Sequence, residues 1–123
     1  MALALIIGFA GMLGVLTRHF LAQVIPPPAS GFPLSTFAIN VIGSIVIAWI
    51  YISSTEKNWI SSQLSQTLQI GLLGGFTTFS AYSLESWKLI QAGEYAIATA
   101  YGLGSPVACL LGVCLGAWLA RIA

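Results

Sequence analysis

Long apolar runs alternate with short polar stretches along the whole chain, and each run has the length of a membrane crossing. A spanning helix takes about 20 predominantly apolar residues. The pattern predicts four spans, at about residues 3–24, 33–53, 66–90 and 95–120. Between the first two, Ile25-Pro-Pro-Pro-Ala-Ser-Gly31 is a rigid turn, because consecutive prolines cannot continue a helix. Pro33 then suits a first helical turn. The most polar part, Ser54 to Ser65, contains Glu56, Lys57, Asn58 and Trp59 and reads as an interfacial loop or short surface helix.

Polar and small residues inside the runs are not scattered. In span one Gly8, Gly11 and Gly14 recur every third position, giving a smooth face for close helix contact. Arg18 follows on nearly the same face, beside His19; an arginine this deep faces a water-filled space or snorkels to the interface. In span two Thr36, Asn40 and Ser44 form an i, i+4, i+8 stripe with Gly43 beside it. An asparagine in mid-membrane is costly unless satisfied. The stripe is either glue between helices or a lined polar track, and three aligned polar groups favour the track. Trp49 and Tyr51 fit an interfacial aromatic belt.

Span three carries the densest anomaly: Gly71-Leu-Leu-Gly-Gly-Phe-Thr-Thr-Phe-Ser-Ala-Tyr-Ser-Leu-Glu85. Each of Gly74 and Gly75 weakens a helix by about 1 kcal/mol, and the hydroxyls beside them can satisfy released backbone groups. The stretch predicts a helix broken near the bilayer centre, an arrangement that can bind ions; a plain close-packing site is the competing reading. Past the break, Phe79, Tyr82 and Ser83 share a face, with Ser80 one position round. Glu85 lies near the membrane edge, three residues before Lys88 and within pairing range of it. In span four Tyr101, Ser105 and Cys109 make a further i, i+4 row beside a small-residue row of Gly104, Ala108, Gly112, Gly116 and Ala120. Pro106 removes one backbone donor and frees the carbonyl of Gly102.

Composition narrows the class. Of the 123 residues 58% are hydrophobic and 6% charged, against about 25% charged in soluble domains. The chain is read as an all-α integral membrane protein in contact with lipid, a single four-span domain over residues 1–123. The net charge is +1 and no basic patch suits nucleic acid. The N-terminus has no basic n-region and no clear cleavage site, so it reads as a retained span. His19 has no second ligand at metal spacing, and no nucleophile has a base within reach, so no enzyme is predicted. Cys109 and Cys114 point in separated directions on one helix and read as small buried hydrophobes.

Four spans place the N-terminus, the 54–65 loop and the C-terminus on one side. Lys57 and Arg121 then oppose Arg18 and Lys88, and this balance gives no orientation by the positive-inside rule. A chain without bias can insert both ways, and two opposite copies can pair about an axis in the membrane plane. Four short spans scarcely enclose a pore, so a dimer is the natural assembly.

These residues resemble the CrcB/Fluc family of small fluoride channels, in order and over nearly the whole chain. The match comprises Gly11-xx-Gly14-xxx-Arg18, Thr36-xxx-Asn40-xx-Gly43-Ser44, Gly74-Gly75-Phe76-Thr77-Thr78-Phe79-Ser80 through Ser83 and Glu85, and Tyr101-xxx-Ser105. The resemblance implies an antiparallel dual-topology homodimer with two pores. It also implies a structural sodium ion on the dimer axis, held by backbone carbonyls at positions matching Gly74 and Thr77. Asn40, Phe79 and Tyr82 would line the anion path, with Tyr101 and Ser105 nearby and Arg18 at the aqueous vestibule. Thr36, Ser80 and Ser83 complete the expected fluoride pathway. The implied role is passive fluoride export across a bacterial inner membrane. The chain departs from the family at Tyr82, where phenylalanine is usual, and at Cys109, where a hydroxyl is frequent.

The chemistry fits. Fluoride leaving water needs compact donors, which an asparagine amide, hydroxyls and the electropositive edges of aromatic rings supply. The inferred spans hold no acid apart from Glu85, so a cation path lacks its carboxylate ring. The alternative is a small dual-topology multidrug or cation exporter, but a proton-coupled pump needs a membrane-buried carboxylate and span one has none. A non-transporting assembly factor would explain the glycine rows but not the polar rows and the break.

Overall fold

The apolar runs become helices and no strand forms. The computed structural model describes residues 1–123. It contains α1 (Ala2–Val24), α2 (Leu34–Thr55), α3 (Ser62–Gln66), a π-helical segment (Thr67–Leu73), α4 (Gly74–Phe76), α5 (Phe79–Gln91) and α6 (Tyr95–Ile122). Helices α1, α2 and α6 are each long and apolar enough to cross a membrane. The stretch from Ser62 to Gln91 supplies the fourth rod, but it is interrupted. Only 18 of 123 residues are buried, and large apolar side chains such as Leu5, Phe9, Leu110 and Trp118 point outward. An exterior of that kind needs lipid or protein to cover it.

The rods pack as two pairs, each with its helices running in parallel. In the first, α1 lies on the π segment and α4. A Cβ on Gly14 would overlap the Leu72 carbonyl, one on Gly75 would overlap the Gly11 carbonyl, and one on Gly71 would sit 2.6 Å from the Ile7 carbonyl. Backbone meets backbone here, which only glycine permits. Gly8, expected on the same contact face, has nothing within 4 Å although Ile7 beside it makes the contact; the face runs through Ile7, Ala10, Gly11 and Gly14, and Gly8 is turned off it. In the second pair α2 lies along α6 in the most extensive interface of the fold. A Cβ on Gly116 would overlap the Ile45 carbonyl, and one on Gly112 would meet the Val41 carbonyl at 3.2 Å. Gly104, in the same row by sequence, faces open space.

At one end the 54–65 loop meets the C-terminus, as four spans require. The Arg121 guanidinium donates to both Glu56 carboxylate oxygens, at 2.9 and 2.7 Å. Lys57 donates to the Arg121 carbonyl at 3.1 Å, and its ammonium lies 5.2 Å from the Trp59 ring centre. The guanidinium hydrogen bond holds the Glu56 carboxyl below the usual carboxylate range. Both partners are in solvent, so the pair fixes geometry more than it stabilises.

The helix break is displaced from where the glycines put it. Gly74 keeps helical dihedrals, φ −61° and ψ −37°, and the chain leaves the helix at Thr77 (φ −86°, ψ 157°) and Thr78 (φ −150°, ψ 118°). Glycine at 75 serves close approach to α1, while β-branched threonines tolerate extended backbone well. Upstream, the wide π turns from Thr67 to Leu73 are the local distortion often found at functional sites. Thr78 then caps α5, its hydroxyl accepting the Ala81 N–H at 3.2 Å. Before the break this rod packs on α1; after it, α5 packs on α6.

Glycine-to-alanine replacements should separate contact glycines from free ones. Gly14→Ala and Gly116→Ala should each destabilise the fold by about 1–3 kcal/mol through overpacking, and Gly8→Ala should not. Thermal unfolding in detergent, followed by gel filtration, reads the difference.

Candidate functional site

Asn40 and Thr78 are 38 residues apart and exchange two hydrogen bonds. The Asn40 Nδ2 donates to the Thr78 carbonyl at 3.0 Å, and the Thr78 N–H donates to Asn40 Oδ1 at 2.8 Å. A side-chain amide thus replaces the strand or helix partner that an extended peptide lacks. One amide hydrogen of Asn40 is left for another acceptor.

This clamp has a second effect on the backbone. In an unbroken helix the Thr78 N–H would donate to the Gly74 carbonyl and the Ala81 N–H to the Thr77 carbonyl. The first goes to Asn40 Oδ1 and the second to Thr78 Oγ1. The Thr77 carbonyl accepts no backbone N–H, and neither Thr77 nor Thr78 donates to Gly74. The two carbonyls expected at a cation are the two whose helical donors have been diverted.

A cleft of about 260 Å³ opens beside the clamp. Asn40, Gly43 and Ser44 of α2 form one wall, and Thr77, Thr78, Phe79 and Tyr82 a second. Ser105, Pro106 and Cys109 of α6 close the third side. Most hydroxyls near it are spent on their own helix: Ser44 donates to the Asn40 carbonyl, Ser83 to Phe79 and Thr77 to Leu73. Ser105 does not fold back. It is 4% exposed, and its Oγ has no partner.

The proline gap in α6 is filled from across the interface. Pro106 lies inside the helix, and the Tyr82 hydroxyl donates to the Gly102 carbonyl that it frees. The Tyr82 ring is thereby fixed between Phe79 and Tyr101, with centroids at 5.2 and 5.3 Å. Phe32 continues the row, edge-on to Tyr101 at 5.3 Å. Aromatic rings at these separations present edges and faces in alternation.

At Tyr101 the row also meets an acid. Glu85 accepts from Thr36 Oγ1 at 2.8 Å and from the Tyr101 hydroxyl at 2.6 Å. It is not paired with Lys88; the one ion pair in the structure joins Arg121 to Glu56. Across α2, Arg18 and His19 line a separate cleft with Thr36, Ile39 and Thr78.

The family described as "CrcB-like protein, Camphor Resistance (CrcB)" matches residues 5–117. The chain belongs to the CrcB family. It is 40% identical over 122 residues to the "Fluoride-specific ion channel FluC" of Geotalea daltonii, covering 98% of each chain. To the protein of that name from Chlorobium phaeobacteroides it is 37% identical over 121 residues, 98% of this chain and 94% of the other. To that of Phocaeicola vulgatus it is 38% identical over 118 residues, 95% and 97%.

The residues that the CrcB resemblance brings forward do not all meet in one place. Asn40, Phe79, Tyr82 and Ser105 meet at the cleft, with Thr77. Thr36 and Tyr101 are close by but engaged with Glu85, and Tyr101 is fully buried. Ser83 lies on a neighbouring groove with Ser86 and Thr99, and Ser80 reaches only the Thr78 hydroxyl, at 3.4 Å. Arg18 stands in its own cleft, which Thr36 and Thr78 share, and Gly74 is exposed at the break. Sequence reasoning missed Thr78 as the clamp residue and Glu85 as the shared acceptor. The signal for Thr78 was available: an extended peptide beside an intramembrane asparagine needs its partner.

Removing the clamp should loosen the break selectively. Asn40→Leu leaves the N–H and carbonyl of Thr78 unpaired, at about 1–3 kcal/mol for each buried group. Asn40→Asp, when ionised, keeps the acceptor but cannot donate. Amide hydrogen exchange at Thr78 should therefore accelerate strongly in Asn40→Leu and less in Asn40→Asp. Equal protection in all three proteins would remove the clamp role.

Proposed function

We propose that this protein is a fluoride-selective ion channel giving passive fluoride export across a bacterial inner membrane. The observation that carries the reading is the near-complete match to proteins named fluoride-specific channels. The cleft agrees with it chemically, offering the free Asn40 hydrogen, the unpartnered Ser105 hydroxyl and the Phe79 and Tyr82 ring edges. None of these is an ionised acid, and each can take the place of a water around a small hard anion. Arg18, in the cleft on the other side of Thr78, raises anion concentration at an entrance. The relatives reported above bear the channel name, and the exporter alternative is set aside.

The working unit is an antiparallel homodimer, with the break near the bilayer centre. Several features support this. Gly14, which meets the chain just before the break, lies near the midpoint of α1. Phe79 is 77% exposed in the single chain, so a second copy is needed to enclose a route past it. The balanced Lys and Arg count permits both insertions. The carbonyls of Gly74 and Thr77, deprived of their helical donors, suit a sodium ion, which binds through oxygen alone. Such an ion would supply the positive charge that two unpaired carbonyls otherwise lack.

Purified protein in fluoride-loaded liposomes should release fluoride when valinomycin and potassium dissipate the membrane potential, and chloride should stay. Equal loss of both ions, or a strict need for a proton gradient, would overturn the channel. Because the Tyr82 hydroxyl is engaged with Gly102, its ring edges are what it offers the route. Tyr82→Phe should keep flux within about tenfold, roughly 1.4 kcal/mol in barrier, whereas Phe79→Ile should lose far more. The same efflux assay ranks the two variants.

A further inference from the structure

We propose that Cys109 is a covalent modification site inside the cleft, open to small sulfur electrophiles, and that the resulting mixed disulfide obstructs the ion route. The second half rests on the fluoride-channel reading; the first stands on geometry alone. Cys109 is half-buried and lines the cleft with Asn40, Tyr82 and Ser105. Cys114, on the same helix, is exposed and lines none of the clefts described above.

Ser105 provides the independent sign that the space beside this thiol takes a guest. It lies one helical turn before Cys109, is 4% exposed, and its Oγ has no partner. The freed Gly102 carbonyl on the same helix is already taken by Tyr82. A buried hydroxyl without a partner is uncommon and calls for one from outside the chain, and Ser105 is on the wall of this cleft. At about 260 Å³ the cleft lies below the usual range of ligand pockets, about 300–1,000 Å³. A small adduct therefore takes up much of it.

Methyl methanethiosulfonate is the matched probe. The Cys109 thiolate attacks the sulfenyl sulfur, a new S–S bond forms, and the bond to the sulfonyl sulfur breaks. Methanesulfinate leaves with the electron pair, and the thiol proton passes to water. Dithiothreitol reverses the adduct by thiol–disulfide exchange.

The test uses the full chain in liposomes, alongside Cys109→Ser and Cys114→Ser, each compared with its own untreated rate. Peptide mass spectrometry locates the adducts. In the treated parent protein and in Cys114→Ser, Cys109 should carry the adduct, most fluoride flux should be lost, and dithiothreitol should restore it. Cys109→Ser should keep its own rate. Three results would each overturn the proposal: a Cys109 adduct with unchanged flux, equal block in Cys109→Ser, or no Cys109 adduct in the folded protein when the unfolded chain is labelled. If untreated vesicles release no fluoride, the channel reading fails instead, and adduct formation at Cys109 still decides access.

Discussion

Two hydrogen bonds between the Asn40 amide and the Thr78 peptide hold this structure in its bent form. An extended peptide between packed helices has lost the partners of the regular ladder and needs others. Without Asn40, the cheapest way to satisfy Thr78 would be to resume the helix. With it, the chain stays extended, α5 starts afresh at Phe79, and its first turn faces α6. The positions of Phe79 and Tyr82, the diverted donors at Gly74 and Thr77, and the second wall of the cleft all follow from that exchange.

The remaining polar groups show a division of labour. Hydroxyls that bond back to their own helix, such as those of Ser44 and Ser83, have their donor occupied and cost the membrane little. The groups that reach between helices fix geometry: Tyr82 closes the gap made by Pro106, and Thr36 and Tyr101 hold the Glu85 carboxylate from two sides. Ser105 belongs to neither set. Tyr82 also accounts for its departure from the usual phenylalanine, because its hydroxyl serves α6 while the ring remains available.

The sequence was legible where the physics is local. Hydropathy located the three long apolar helices to within about two residues, and small-residue spacing found the Gly112 and Gly116 contact as well as Gly11 and Gly14. It was less legible where a distant partner decides. Helix propensity pointed to Gly74 and Gly75, yet the break sits at Thr77 and Thr78 because Asn40, 38 residues away, supplies the alternative bonds. Glu85 looked like a neighbour of Lys88 because that pairing is visible along one helix, whereas Thr36 is 49 residues distant. Gly8 shows that a three-residue spacing need not put every member on the contact face, because Ile7 beside it makes the contact instead.

The interleaving of the two helix pairs has a consequence for biogenesis. Span one closes on span three, span two on span four, and α1 and α2 share only a slight contact. Helices that enter a bilayer one after another first become stable individually and then associate. The first hairpin therefore waits in lipid with the glycine face of α1 uncovered until the third span arrives. The α2 face that will receive Gly112 and Gly116 waits for the last span of all. The first pair can close once Phe76 has been made, the second only when the last helix is complete, so a chain truncated within α6 keeps its first pair and loses its second.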